Sequence, residues 1–295
     1  MVRSDYPSKV SLPQTNPGVI TVLEYLIIKF PNVDAQIWRQ RIAEAKVHRH
    51  DGSLITPLSA FQAHERIYYY REVDNEPSIP FTETILFQDE HVLVAHKPHF
   101  LAVTPSGVYA NECLQNRLRR STGIATLQAL HRIDRVTAGL MMFSVNPESR
   151  HLYHQLFATR KIHKTYQAIA HIDEGEQLVG QEWEVENRIV HCEPRFRMRI
   201  VDGDANSHSI IRCLQQNTHK ALFELNPITG KTHQLRLHMY SLGWPILNDK
   251  YYPHLQPLSA DDYSAPLQLL AKELRFNDPV TQQSRHFSFE GDLKL

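Results

Sequence analysis

One stretch of the chain places a carboxylate among basic side chains. Arg132 and Arg135 flank Asp134, and nearby cations favour the ionised form of a carboxyl group. An ionised carboxylate can act as a nucleophile or as a proton acceptor. Thr137 can hydrogen-bond nearby backbone, and Gly139 can adopt a positive φ. These residues predict either a reactive loop around Asp134 or a structural loop held by salt bridges. The full stretch is His131-Arg132-Ile133-Asp134-Arg135-Val136-Thr137-Ala138-Gly139-Leu140.

Three further motifs decide between these alternatives, because together with the Asp134 stretch they form an ordered set. They are Lys97-Pro98, Lys164-Thr165-Tyr166-Gln167-Ala168 and Thr229-Gly230-Lys231-Thr232-His233-Gln234-Leu235-Arg236-Leu237-His238. In this order the set resembles the motifs of the RluA-type pseudouridine synthases: a Lys-Pro pair, H-R-L-D-x-x-T-S-G, K-x-Y-x-A and T-G-R-T-H-Q-I-R-x-H. This chain departs from the family pattern at Ile133 and Ala138, at Lys231, where arginine is common, and at Asn248, where the family usually has glycine before the aspartate that is Asp249 here. The departures spare the groups expected to do chemistry.

The resemblance implies a role for individual residues. Asp134 is the expected catalytic aspartate, Tyr166 is expected to lie against the target base, and Arg236 is expected to form an ion pair with Asp134. Arg132 resembles the family arginine that occupies the space left by a flipped base. The expected substrate-binding residues in the motifs also include His131, Thr137, Leu235 and Lys97.

The implied reaction isomerises a uridine in RNA. It breaks the C1'-N1 glycosidic bond, turns the detached uracil and rejoins it through C5, so neither a cofactor nor a metal is implied. Asp134 could attack the sugar or take a proton from it, and the sequence leaves both open. A uridine in folded RNA must be flipped out of its stack to be reached. The expected substrate is ribosomal or transfer RNA. The alternative function is an RNA-binding or ribosome-assembly factor on the same scaffold with little catalysis.

The N-terminal region has the pattern of a small RNA-binding domain. Leucine, isoleucine and phenylalanine at helical spacing predict one helix over 19–30, and Asp34 is the predicted N-cap of a second. Together with a short β-element, these helices resemble the S4 RNA-binding domain. Arg39 and Arg41 in the second helix are the expected RNA contacts, although basic residues on a helix are also typical of a solvated surface. The predicted boundaries are a polar lead-in over 1–16, an S4-like domain over 17–73, a linker over 74–81 and a catalytic domain over 82–295.

The catalytic region has strands in runs with irregularly placed helices, which favours an α+β fold over a doubly wound α/β sheet. The resemblance implies a mixed, mostly antiparallel sheet with flanking helices. The pattern of apolar residues predicts one helix over 147–160. It also predicts strands over 84–88, 92–96, 140–144, 165–170, 209–214 and 221–226.

Composition limits the other function classes. Lys plus Arg and Asp plus Glu both number 32, so RNA binding must rest on local basic patches. The three cysteines form no C-x-x-C pair, which is typical of a reducing compartment without a thiolate zinc site. Leu225 stands where a phosphate-binding P-loop before Gly230-Lys231-Thr232 would need glycine. We therefore expect a monomeric cytoplasmic protein that does not enter membranes.

Overall fold

The chain forms two compact units in a computed structural model that describes residues 1–257, 259–291 and 293–295. Unit 1 consists of Met1–Ser78 together with Pro105–Asn116. Unit 2 consists of Ile79–Thr104 together with Arg117–Leu295. Within the described residues, no helix is long and apolar enough to cross a lipid bilayer.

Unit 1 combines two helices with short strands. Its elements are β1 (Val2–Arg3), β2 (Ser8–Ser11), α1 (Val22–Lys29), α2 (Ala35–Ala43), β3 (Val47–Arg49), β4 (Arg66–Tyr69) and β5 (Glu72–Val73). Strands β2, β4 and β3 form an antiparallel sheet in that order, and β1 pairs with β5. The helices and the inner face of the sheet enclose a core that includes the fully buried Trp38, Leu26 and Ile67.

The two helices begin where local side chains satisfy free backbone N–H groups. Thr21 caps α1 by accepting from the backbone of Glu24, while the carboxylate of Glu24 accepts from the backbone of Thr21. Asp34 caps α2 by accepting from the backbone of Gln36 at 2.7 Å. Such reciprocal and single caps stabilise a helix by roughly 1 kcal/mol each. The predicted N-cap of the second helix is therefore correct.

The extent of unit 1 differs from the predicted boundaries. The segment expected to be a lead-in contains β2, where Val10 is buried and opposes Ile67 of β4. Glu76 lies in the expected linker, yet its carboxylate accepts from the backbone of residues 110, 111 and 112. These hydrogen bonds connect residues 34 to 36 positions apart in the chain. Hydrophobic periodicity depends on near neighbours in the sequence, so it does not predict such contacts.

Unit 2 is built on one large sheet. Its helices are α3 (Leu114–Thr122), of which the residues from Arg117 onward belong to this unit, α4 (Arg150–Ala158) and α5 (Gln234–Ser241). Its strands are β6 (Thr84–Gln88), β7 (Val92–Lys97), β8 (Gln128–Ala129), β9 (Ala138–Ser144), β10 (His163–His171), β11 (Glu182–Cys192), β12 (Arg197–Val201), β13 (Ser207–Gln216), β14 (Lys220–Pro227), β15 (Leu269–Asn277) and β16 (Ser284–Ser288). The strand order is β12-β11-β13-β14-β10-β15-β9-β7-β6, with β16 on β15 and β8 on β9.

The sheet is antiparallel except where β15 and β9 run parallel. The predicted α+β class is confirmed, and each predicted strand lies within an observed one. Sequence patterns did not identify the long hairpin of β11 and β12 or the helix α5. In α5, the first six residues are all buried, including Arg236 and His238, so this helix lacks the polar stripe by which surface helices are recognised.

Gly139 shows how closely β9 and β15 approach. Its φ is +120°, and a Cβ atom at this position would lie 2.2 Å from the carbonyl oxygen of Ala271. Only glycine tolerates both that backbone angle and that distance. Gly139 therefore sets the position of β9, and with it the end of the loop that carries Asp134.

Candidate active site

Asp134 and Arg236 meet although 102 positions separate them in the chain. Asp134 lies in the loop before β9, and its side chain is 28% exposed. Arg236 lies in the first turn of α5 and is 2% exposed. Its Nη1 donates to Oδ2 of Asp134 at 3.1 Å. The structure thus contains the ion pair that the resemblance implied.

A second carboxylate holds Arg236 from the other side. Asp249 is 1% exposed and accepts from Nε at 2.7 Å and from Nη2 at 2.6 Å. Burial disfavours the guanidinium charge, but the hydrogen bonds and charge of Asp249, with the charge of Asp134, raise the pKa of Arg236. Arg236 is therefore a fixed cation with one N–H group directed at Asp134 and two others donating to Asp249.

Two tyrosines and a histidine complete this cluster. The guanidinium of Arg236 lies 4.8 Å from the ring centre of Tyr251 and 5.3 Å from that of Tyr252. The backbone N–H groups of both tyrosines donate to Oδ1 of Asp249. His233 Nδ1 is 2.9 Å from the Tyr252 hydroxyl, and its Nε2 is 3.7 Å from Oδ2 of Asp134. Burial lowers the pKa of His233, so this imidazole is mainly neutral at pH 7 and Arg236 supplies the positive charge.

The turn before α5 explains how the motif places these side chains. His233 is the N-cap and has a left-handed φ of 56°. The Gln234 side chain accepts from the hydroxyl of Thr229 at 2.7 Å and from the backbone of Lys231 at 3.0 Å. It also donates to the backbone of His208 at 2.9 Å. The motif is therefore a hydrogen-bonded turn that presents His233 and Arg236 on the Asp134 side.

Tyr166 lies on β10 and is buried in the apolar cluster between the sheet and α5. That cluster includes Leu235, and Ile133 and Val136 from the Asp134 loop pack against it. Burial and the nearby charge of Asp134 both raise the pKa of Tyr166. The ring is therefore a neutral aromatic surface beside the carboxylate.

The two arginines that flank Asp134 in the sequence do not provide its ion pair. Arg135 donates to both carboxylate oxygens of Asp261, at 2.6 and 2.8 Å. Arg132 is exposed to solvent. The cation beside Asp134 comes from α5 instead, because Arg135 lies in a turn, closed by the Thr137 N–H donating to the Asp134 carbonyl, and its side chain is engaged by Asp261.

Several residues that are expected to bind substrate are buried next to the loop that carries Asp134. Lys97 is fully buried, and its ammonium donates to the backbone carbonyls of Pro98, Leu101 and Arg135 at 2.8 to 2.9 Å. Burial lowers its pKa well below the usual value. The bond to Arg135 anchors the residue that follows Asp134. Thr137 and Leu235 are 2% and 8% exposed.

His131 also stabilises the Asp134 loop from inside unit 2. Its Nε2 accepts from the backbone of Met142 at 3.1 Å, and its ring stacks on Phe157 at 4.8 Å. Burial lowers the pKa of His131 to about 3, so it is neutral. The polar atoms or side chains of His131, Lys97, Thr137 and Leu235 are thus engaged inside unit 2, and their contact with substrate stays a prediction.

The two arginines of α2 in unit 1 have different surroundings. Arg39 is exposed to solvent, as expected of an RNA contact. Arg41 is 7% exposed, lies 3.7 Å from the carboxylate of Glu72 and packs 5.0 Å from the ring centre of Trp38. Arg41 is therefore directed at Glu72 inside the unit, and its contact with RNA stays a prediction.

Sequence reasoning missed Asp249, His233 and Tyr252 as parts of this cluster. Asp249 and His233 were visible only as members or neighbours of the α5 motif, and Tyr252 carried no signal of its own. Among the described residues, no group of three or more His, Cys, Asp or Glu side chains has the arrangement of a metal site.

Known proteins that are similar to this chain belong to the family that its motifs resemble. The profile of the RNA pseudouridylate synthase family matches residues 91–241. The dual-specificity RNA pseudouridine synthase RluA of Haemophilus influenzae is 33% identical over 227 residues, which cover 74% of this chain and 97% of that protein. Its namesake from Pasteurella multocida is 31% identical over 220 residues, covering 72% and 94%. The solved structure of human RNA Pseudouridylate Synthase Domain Containing 4 aligns with a TM-score of 0.53 at 26% identity, covering 70% of this chain and 88% of that one.

Proposed function

The chain belongs to the RluA-type RNA pseudouridine synthases, and we propose that Asp134 is the carboxylate on which its catalysis depends. The observation that supports this role is the arrangement around Asp134. Arg236 holds Oδ2, whereas no hydrogen bond from any other described residue reaches Oδ1. One oxygen of a partly exposed carboxylate is thus fixed, and the other is left for the substrate.

The reaction requires a group that handles the sugar and a surface that keeps the free base. The C1'-N1 bond breaks, the uracil turns, a C1'-C5 bond forms, and the proton leaves C5 while N1 gains one. Asp134 can take part by attacking C1' or by accepting a proton from the sugar, and both routes need the ionised carboxylate that Arg236 stabilises. The neutral ring of Tyr166 offers the detached base an apolar face.

Arg132 and the base to be modified form the next part of the proposal. A uridine in a helix or folded loop must leave its stack before it can reach Asp134. Arg132 is exposed on the same loop, two positions from Asp134, so it can occupy the space that the base leaves. We assign it to substrate binding, together with the exposed Arg39 of the S4-like unit 1.

The finer features of the substrate are also proposed. The target is one uridine in structured ribosomal or transfer RNA, and the relatives named as dual-specificity enzymes favour testing both. We further propose a monomeric protein that works in the cytoplasm without a cofactor. The intact pairing of Asp134 with Arg236 favours catalysis over the alternative of a binding or assembly factor.

The central test compares Asp134→Asn with Asp173→Asn, a change of the same kind at an exposed loop residue. Carbodiimide treatment and primer extension of ribosomal and transfer RNA from cells expressing each variant would detect pseudouridine. We expect the stop to vanish with Asp134→Asn and to remain with Asp173→Asn. A stop that survives undiminished in Asp134→Asn would refute the catalytic assignment, and the absence of any protein-dependent stop would favour the assembly-factor alternative.

A further inference from the structure

The small sheet of unit 1 has one face in the core and one face in solvent. Side chains alternate along its strands, so Val10, Val47 and Ile67 point inward while their neighbours point outward. The outward row joins Lys9 of β2, Tyr68 of β4 and His48 of β3, which are opposite one another in the strand register.

Aromatic and imidazole rings cover this outer face in a continuous line. His48 stacks on Tyr68 with ring centres 5.5 Å apart and planes within 10°. His50 lies 5.8 Å from Tyr68 on one side, and its Nδ1 is 3.0 Å from the tyrosine hydroxyl. Tyr70 lies 6.1 Å from His48 on the other side. These four rings, His50, Tyr68, His48 and Tyr70, are called the ring line below.

The ring line is not needed to fill the core of unit 1. The inward face already has its own aromatic cluster, in which Trp38 packs 5.1 Å from Tyr69 and 5.3 Å from Phe30. Burial of apolar surface explains those inward rings. It does not explain a second set of rings that remains partly open to water on the opposite side.

Basic side chains lie on and beside the outward face that carries the ring line. On that face the strands carry Lys9 of β2 and Arg66 of β4, whereas Arg49 of β3 is opposite the inward Ile67 and is paired with Glu65 at 2.6 Å. Lys9 and Arg66 are exposed. The guanidinium of Arg3 lies 5.2 Å from the ring centre of Tyr70 and extends the basic character beyond the ring line. An anionic polymer with flat, stackable groups is complementary to such a surface.

We propose that the ring line is a binding platform for unpaired nucleotides of single-stranded RNA, with the bases on the rings and the phosphates near Lys9, Arg3 and Arg66. Stacking on aromatic side chains beside basic groups is how single-stranded nucleic acids are held without sequence preference. A-form duplex RNA keeps its bases stacked inside and cannot use the rings in this way. The proposal rests on the proposed function, because that function makes RNA the polymer the protein must hold.

The experiment uses the full chain and a fluorescently labelled single-stranded oligouridine, with anisotropy as the measure of binding. Tyr68→Ala removes the central ring, and Tyr68→Phe keeps it. Ile28→Ala is the matched control, because Ile28 is an exposed side chain of the same unit that lies on α1 and not on the sheet. Thermal unfolding of each variant verifies that the solvent-facing change leaves the fold intact.

We expect Tyr68→Ala to weaken oligouridine binding about tenfold, since losing a stacked base commonly has this size of effect. Tyr68→Phe and Ile28→Ala are expected to stay within about twofold of the parent protein. A duplex of the same length should bind Tyr68→Ala and the parent protein equally. Replacing Lys9 by alanine should make the salt dependence shallower, by about 0.7 in the logarithmic slope for one lost phosphate contact.

Three results would overturn the platform. The first is Tyr68→Ala binding oligouridine as well as the parent protein, which would show that the central ring does not hold a base. The second is Tyr68→Phe losing as much affinity as Tyr68→Ala, which would replace stacking by a contact of the hydroxyl. The third is an equal loss for the duplex. The pseudouridine stop and its loss in Asp134→Asn are measured separately, so failure of the platform leaves the proposed function intact, and the reverse also holds.

Discussion

Replacing Asp249 by asparagine tests whether the two hydrogen bonds between Arg236 and Asp249 organise the active site. Oδ1 of Asp249 accepts from Nη2 of Arg236 and from the backbone of Tyr251 and Tyr252. The asparagine oxygen would take that place because it alone can accept from these donors. The new amide group then faces Nε of Arg236, donor against donor, where Oδ2 now accepts at 2.7 Å.

The magnitude follows from burial. Arg236 and Asp249 are 2% and 1% exposed, so salt and water screen their interaction little. Removing one partner of such a buried pair costs about 3 to 5 kcal/mol, because Arg236 would keep only the partly exposed Asp134 as a counter-charge. For a domain of this size, that corresponds to a fall in Tm of about 6 to 20 °C. The released guanidinium also no longer holds Oδ2 of Asp134 in place, so kcat should fall more than KM rises.

Asp261→Asn is the matched control for this experiment. Asp261 also accepts two hydrogen bonds from one arginine, Arg135, but the side chains are 20% and 33% exposed. Partly exposed pairs contribute at most about 1 kcal/mol. Calorimetry of both variants and steady-state pseudouridine formation by Asp249→Asn measure the two effects. Equal and small losses of Tm in both variants, or an unchanged kcat in Asp249→Asn, would refute the reasoning.

Three further predictions concern other parts of the molecule. Gly139→Ala should lower stability by about 4 kcal/mol or more, because its Cβ would lie 2.2 Å from the Ala271 oxygen; Gly230→Ala, whose nearest neighbour is at 3.9 Å, is the control in denaturant titrations. Burial raises the pKa of Asp278, but hydrogen bonds from the backbone of 280 and 281 and from the Tyr153 hydroxyl lower it overall. The stabilising contribution of ionised Asp278 is therefore present above its unfolded pKa of about 4 and is lost as pH falls further. The difference in Tm between the parent protein and Asp278→Asn should therefore shrink between pH 5 and 3. A constant difference would contradict this. Arg39→Ala should weaken RNA binding with a shallower salt dependence, which a salt titration of the affinity can disprove.

Local features could be read from the sequence because they depend on near neighbours. The cap Asp34 acts within two residues of the chain, and the apolar runs that predict β6 and β7 lie on either side of a turn around Asp89-Glu90. The ordered motifs around Asp134, Tyr166 and Arg236 likewise identified the family, since they record which side chains the chemistry needs.

The tertiary structure decided whether a charged residue lies inside the protein or on its surface. Arg41 and Lys97 look like surface residues in a sequence. In the structure Arg41 lies beside Glu72, and Lys97 donates to three backbone carbonyls inside the protein. The same holds for the cation beside Asp134, where the distant Arg236 takes the place expected of the flanking arginines. Desolvating a charge is favourable only when partners compensate for it, and those partners come from distant strands and helices. The sequence thus determined which groups are present, and the packing of α5 against the sheet decided which of them meet.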